Sequence, residues 1–176
     1  WVISTPVTVV RGLAAAARRG IRIKGGAYLE QGRLLKSLAL DKTGTITTGK
    51  PSVTDVIALH GSEADLLTLA ASVESRSGHP LAQAVVQAAR SRQVAWPEAT
   101  DVQSVTGKGM HAVVSGVRVS IGNLRLFEAE GVPDSVRQQV LDLEEIGKTT
   151  MLVRREGTFV GVLALADTTR AGLRGV

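Results

Sequence analysis

Apolar positions recur in this chain with two rhythms, one near 3.6 residues and one of two. The stretch "TVVRGLAAAARR" (8–19) combines strong helix formers with a basic last turn, which suits the helix dipole, and Gly20 is a natural stop. "IRIKGG" reads as a short strand and "AYLEQGRLL" as a helix. "KSLALD" reads as a buried strand that delivers Asp41 at its carboxyl end. After Pro51, "SVTDVIAL" alternates as a strand does, and "SEADLLTLAASVESRS" is an amphipathic helix. Its start resembles a capping box formed by Ser62 and Asp65, with Leu66, Leu69, Ala70 and Val73 on one face. A second helix runs from Pro80 to about Arg92. "DVQSVTGKGMHAVVSGVRVSIG" gives three strands separated by glycine turns. "PDSVRQQVLDLEEIG" is a further amphipathic helix with Val136, Val140 and Leu143 inward. "TTMLVRREGTFVGVLALAD" is a hairpin about Glu156-Gly157, ending on Asp167.

This order of elements predicts an α/β segment interrupted at about Pro51 by an α+β unit of roughly 110 residues, within the usual size of a domain. Two apolar strands then end on acids, Asp41 and Asp167, and the second reads as the chain's return to the first domain. Open α/β sheets bind ligands at strand carboxyl ends, which places Asp41 in a site.

Composition narrows the picture. The 176 residues hold 44% apolar and 3% aromatic side chains, so the core must rest on Ala, Val, Leu and Ile. The absence of cysteine excludes disulfides and thiolate metal sites within these residues. The net charge of +5 is uneven: residues 1–36 hold seven basic groups and one acidic, while the remainder holds 14 and 15. A nucleic-acid surface would spread its charge along a face with aromatics interleaved, and this chain does not. Positive charge directly behind "WVISTPVTVV" fits the cytoplasmic flank of a membrane helix, although that stretch is about half the ~20 residues a span needs.

Asp41 is followed by Lys42, Thr43, Gly44 and Thr45. Such a carboxylate, ionised at neutral pH, needs no base to act as a nucleophile, but it must approach a polyanion. Lysine and a divalent cation offset that repulsion, hydroxyls donate, and glycine lets backbone amides face a phosphate. The competing reading is an ordinary Asp-Lys turn.

The string "DKTGT" resembles the phosphorylation motif of P-type ATPases, and "DKTGTITTGKPSV" is similar to it through the hinge that follows. "SGHPLAQAV" resembles the His-Pro segment of the heavy-metal-transporting branch, and "GKGM" the glycine pair of its nucleotide-binding domain. "ALADTTR" resembles the return strand, while "ISTP" and "AAARRGIRIKGGAYLE" look like the stretch after the metal-binding membrane helix. The likeness is collinear over nearly the whole chain.

It implies a partial haloacid-dehalogenase-like phosphorylation domain with an inserted α+β nucleotide-binding domain, an antiparallel sheet flanked by helices. Residues 1–20 would be the cytosolic end of a membrane helix and a connector, and 21–50 the first part of the phosphorylation domain. Residues 51–160 would form the nucleotide-binding domain, and 161–176 the return. Asp41 would accept the γ-phosphate of ATP, with Lys42 and Thr45 contacting it and the Thr43 carbonyl joining the Asp41 carboxylate on Mg²⁺. Glu74, His79, Gly107 and Gly109 would line the adenine side, His79 as a flat ring against the base. Asp167 and Arg170 would sit at the second hinge, where a salt bridge is as consistent as a catalytic duty. The branch carries glutamate just before the His-Pro pair; here that residue is Gly78. "ISTP" and "AAARRG" lie closer to the zinc, cadmium and lead pumps than to the copper pumps. The transported heavy-metal cation would be handled by a membrane domain of the parent protein, and this chain would be a cytosolic portion of it.

The nearest rivals are a copper transporter of the same family and a haloacid-dehalogenase-like phosphatase. The phosphatases carry a second aspartate two positions after the nucleophile, where this chain has Thr43. "IGKTT" (146–150) mimics the end of a P-loop but runs helix to strand and lacks the leading glycine. His60 and His111 have no partners at metal-ligand spacing and are expected at surface or edge positions. The family's dephosphorylation loop and its "GDGxND" segment do not occur in these residues, so ATP binding without turnover is the expectation for the chain alone.

Overall fold

A computed structural model describes residues 4–37, 39 and 47–169. The chain forms two units that divide at residue 40.

In the first unit, α1 (Ser4–Arg18) begins four residues earlier than the periodicity indicates, with Pro6 in its first turn, where no amide donor is needed. It ends as expected: Gly20 takes φ 76°, the Gly20 amide donates to Ala17 and the Ile21 amide to Ala16, a Schellman closure. α2 (Gly26–Gln31) packs on α1 through two reciprocal glycines. A Cβ at Gly12 would stand 2.6 Å from Leu29 Cδ2, and one at Gly26 would stand 2.5 Å from Val9 Cγ1. The strand expected in "IRIKGG" does not form; Ile21 is spent on closing the helix and its side chain is exposed. Of "KSLALD", Lys36, Ser37 and Ala39 are exposed and outside any sheet, and Leu38, Leu40 and Asp41 lie outside the described residues. A strand has no standing without a neighbour to satisfy its backbone. Among the described residues no helix is long and apolar enough to cross a membrane.

The second unit is a six-stranded antiparallel sheet in the order β1-β6-β5-β4-β3-β2. The strands are β1 (Thr47–Ala58), β2 (Ala99–Val105), β3 (Gly109–Val114), β4 (Val117–Gly122), β5 (Thr149–Arg155) and β6 (Thr158–Thr169). Helices α3 (Glu63–Glu74) and α4 (Pro80–Ser91) follow β1, and α5 (Asp134–Glu145) precedes β5. The reason each forms is local. Ser62 and Asp65 close the expected capping box on α3. The His79 ring caps α4, with Pro80 at its first position. Ser115-Gly116 and Glu156-Gly157 both take positive φ, the type I′ geometry of tight hairpins.

Two apolar clusters hold the sheet. One joins the β-strands to α3 and α4 through Leu66, Leu67, Val73, Val85, Ile121, Val153, Leu163 and Leu165. α3 is buried more widely than one amphipathic face, Leu67 and Ala71 included. The α4 helix packs along it, so α3 lies between two partners. It approaches the sheet over Gly161, where a Cβ would stand 2.3 Å from Leu66 Cδ2 and 2.6 Å from the Ile57 carbonyl. The second cluster gathers Val136 and Val140 of α5 with Phe127, Leu152, Phe159 and Val162, and Leu143 packs against it as expected. Each such side chain contributes about 1.5–3 kcal/mol when fully buried.

β1 starts earlier than the sequence pattern indicates and runs through Pro51, which sits at a register irregularity between Thr47 and Pro51. Proline is tolerated there because β1 is an edge strand. The β1–β6 ladder extends to the pair Thr47–Thr169, and Thr47 Oγ1 donates to Asp167 Oδ2 at 3.1 Å.

Candidate functional site

Four strands of the sheet end or begin on one side, and the corner between α3 and α4 lies over that side. The result is a cavity of about 270 Å³. Glu74 enters from the last position of α3 and His79 from the N-cap of α4. Gly107, Lys108 and Gly109 come from the β2–β3 connection, Gly122 and Asn123 from the end of β4, and Thr149 and Thr150 from the start of β5. The four residues assigned from sequence to the adenine side therefore meet in one cavity.

Each is held by identifiable forces. Gly109 takes φ 151°, and a Cβ there would stand 2.1 Å from the Ile121 carbonyl and 2.6 Å from Gly122 Cα. Only a residue without Cβ allows the β2–β3 connection to lie this close to β4. Gly107 takes φ 68°, a left-handed backbone conformation that a side chain would strain although nothing stands within 4 Å of where its Cβ would be. Asn123 Nδ2 donates to the Gly107 carbonyl at 2.9 Å, and the Asn123 amide donates to the Lys108 carbonyl at 2.9 Å. Asn123 thus locks the glycine turn, a role the sequence pattern does not reveal because its strand signal stops at Gly122. A subtler signal is present: Asn after a strand, followed by "LRL", caps a short 3₁₀ turn, and its Oδ1 accepts from the Arg125 amide.

His79 is exposed, and its Nδ1 accepts the Leu81 amide at 3.2 Å. In the neutral ring this leaves the proton on Nε2 and fixes the ring against the helix start. The His-Pro pair is therefore a helix start in its own right. A Cβ at Gly78 would meet no atom within 4 Å, and its φ is not left-handed, so a glutamate would be accommodated there without strain.

Glu74 is the unusual member. It is only 4% exposed, and burial pushes its carboxyl up to about 7. No cation pairs with it among the described residues.

His79 and Thr149 also line a neighbouring cavity of about 350 Å³ that holds Pro51 and Asp167. The residues assigned to the phosphate and Mg²⁺, Asp41, Lys42, Thr43 and Thr45, lie outside the described residues, as does Arg170. "IGKTT" is a helix-to-strand turn, with Gly147 at φ 81° and Thr150 Oγ1 donating to Glu144 Oε1 at 2.6 Å. It is no P-loop. His60 is exposed; His111 is half-buried, its Nδ1 2.7 Å from Ser120 Oγ. Among the described residues no cluster of histidine and carboxylate side chains could hold a metal ion.

A larger concavity, about 630 Å³, opens on the other face of the sheet, where α5 leaves β2–β4 uncovered. Within it His111 pairs with Ser120 and Arg154 with Glu130, the guanidinium also lying over the Phe159 ring, while Arg154 Nε is buried without a partner among the described residues.

Residues 35–176 match the haloacid dehalogenase-like hydrolase family. The chain is 47% identical over 171 residues to the zinc/cadmium/lead-transporting P-type ATPase of Escherichia coli K12, covering 97% of this chain and 23% of that protein. It is 39% identical over 176 residues to a probable cadmium-transporting ATPase of Alkalihalophilus pseudofirmus, covering 96% and 24%. The crystal structure of a zinc-transporting PIB-type ATPase in the E2.Pi state superposes with a TM-score of 0.84 at 46% identity, over 97% of this chain and 28% of that one. The chain thus spans about a quarter of the length of the curated relatives it matches. On collinear motifs, fold and identity over nearly all its residues, the chain belongs to the heavy-metal branch of the P-type ATPases, within the haloacid dehalogenase-like hydrolases.

Proposed function

We propose that this chain is the ATP-binding and aspartyl-phosphorylation segment of an ATP-driven transporter of heavy-metal cations of the zinc, cadmium and lead type. The observation that carries the reading is the convergence of Glu74, His79, Gly107 and Gly109 on one cavity. The adenine enters there, where two glycines bare the backbone and the His79 ring offers a flat apolar face. Lys108 supplies positive charge at the rim. The Asp41 carboxylate attacks the γ-phosphorus, the bond to the bridging oxygen breaks, and ADP leaves an aspartyl-phosphate. Lys42 and Thr45 contact the transferred group. The Asp41 carboxylate and the Thr43 carbonyl would hold Mg²⁺, which would supply positive charge against the repulsion between carboxylate and phosphate.

The domain reading is an insertion: 51–160 as the nucleotide-binding domain between 21–50 and 161–176, with 1–20 leading from the membrane. The pairing of Thr47 with Thr169 supports it, since inserted domains join their hosts at adjacent ends. The parent protein, and not this chain, supplies the membrane domain and its metal ligands.

Two measurements test the reading. Nucleotide titration of the chain should shift the NMR signals of His79 and Gly107–Gly109; silence there removes the ATP site. The complete parent protein with γ-labelled ATP and Mg²⁺ should yield an acid-stable, hydroxylamine-sensitive label that Asp41→Asn abolishes. Release of phosphate from small esters would support a phosphatase instead, and stimulation by copper rather than zinc, cadmium or lead would support the copper branch.

A further inference from the structure

We propose that Glu74 receives the adenine as an uncharged carboxylic acid, donating its hydroxyl proton to the ring nitrogen N1 and accepting from the exocyclic amine, so that a single proton sets base preference. This rests on the reading of the cavity as the nucleotide site.

The geometry is that of a group with no counter-charge among the described residues. Glu74 ends α3, is 4% exposed, and has its open side on the cavity. Among the described residues, the other charged or titratable groups that face the cavity are His79 from the N-cap of α4 and Lys108 from the β2–β3 connection. Neither pairs with Glu74, and His79 Nδ1 is engaged by the Leu81 amide. β3, β4 and β5 present Gly109 and Met110, Gly122 and Asn123, and Thr149–Met151, none of them charged. Arg76, two residues along, is bound to Glu98 at 3.0 Å. An ionised carboxylate left in this place would be buried without compensation. Burial accordingly raises the group to about 7.

Base chemistry supplies the rest. A carboxylate only accepts, whereas a protonated carboxyl both donates and accepts. The adenine edge offers an acceptor at N1 beside an amine donor, so the acid fits and the anion sets a lone pair against N1. The guanine edge offers two adjacent donors, which suit the anion. The folded group holds its proton below about 7, so adenine is favoured there and guanine gains on it as pH rises through that value.

The experiment is calorimetric binding of ADP and of GDP to the 176-residue chain from pH 5.5 to 8.5. The ratio of the two affinities at each pH cancels the phosphates and every residue that acts on both nucleotides alike. The ADP affinity should be constant below about 7 and fall about tenfold per pH unit above it, while GDP loses affinity below that value, so the ratio should fall with rising pH across the whole range. In Glu74→Gln, whose amide donates and accepts permanently, the ratio should not vary with pH. A flat ratio in the unaltered chain, with ADP still bound, overturns the proposal and leaves the nucleotide site standing. No binding of either nucleotide at any pH overturns both. If Glu74→Gln fails to give a folded amide spectrum, the ratio in the unaltered chain decides alone.

Discussion

The two concavities of the sheet unit differ in a way that volume does not capture. The open face beside α5 holds the larger, about 630 Å³, and the α3–α4 corner the smaller, about 270 Å³. The larger is lined mostly by exposed polar side chains, of which Arg154 pairs with Glu130 and His111 with Ser120, while the buried Arg154 Nε has no partner among the described residues. The smaller has a buried acid with no counter-ion among the described residues, set beside glycines. A guanidinium keeps its charge whatever its surroundings, whereas a carboxyl held out of water can take up a proton. A buried group whose charge can change is what separates the two.

The sharpest way to break this contrast is at Gly109. Gly109→Ala drives a Cβ into the Ile121 carbonyl and should cost about 3 kcal/mol or more, read as a lower denaturant midpoint, with loss of nucleotide binding. Next comes Glu74. Its folded value of about 7 lies above the ordinary 4.5, so the folded state holds a proton that the unfolded chain releases. Stability should fall as pH rises from about 4.5 to about 7 and level off above, by roughly 3 kcal/mol in all. Glu74→Gln should lack that slope and be the more stable protein at pH 8, as urea unfolding across the range would show.

A smaller effect is expected at the cap that sets where α3 begins. Ser62→Ala removes the acceptor for the Asp65 amide and should cost about 1 kcal/mol, with nucleotide affinity unchanged. The smallest lies in the larger concavity. Arg118→Ala on the open face should alter stability by about 0.5 kcal/mol at most and leave ADP binding as it was. A large loss of binding there would dissolve the distinction between the two faces.

The sheet unit was legible because its cues are local. Ser62 and Asp65 mark a helix start, the glycine pairs mark hairpins, and alternation marks strands. The first unit was less so. Apolar "IRIKGG" looks like a strand, but whether it forms one depends on a neighbour, which no window of sequence contains. The same holds for Leu67 and Ala71, whose burial reflects α4 lying across α3. Within the candidate site, glycines and the His-Pro pair were readable as motifs. Asn123 was not, since its part is to tie a turn 16 residues earlier in the chain. The isolation of Glu74 was also hidden, because a sequence shows charges but not the distances between them.

The ladder between β1 and β6 has a mechanical consequence. Their hydrogen bonds run from Ala58 and Gly161 to Thr47 and Thr169, so the incoming and outgoing segments are zipped into one ribbon. Neither can slide past the other without shearing that register. Whatever swings this module must therefore bend the ribbon as a single strap, and a load applied to either strand reaches the other at once.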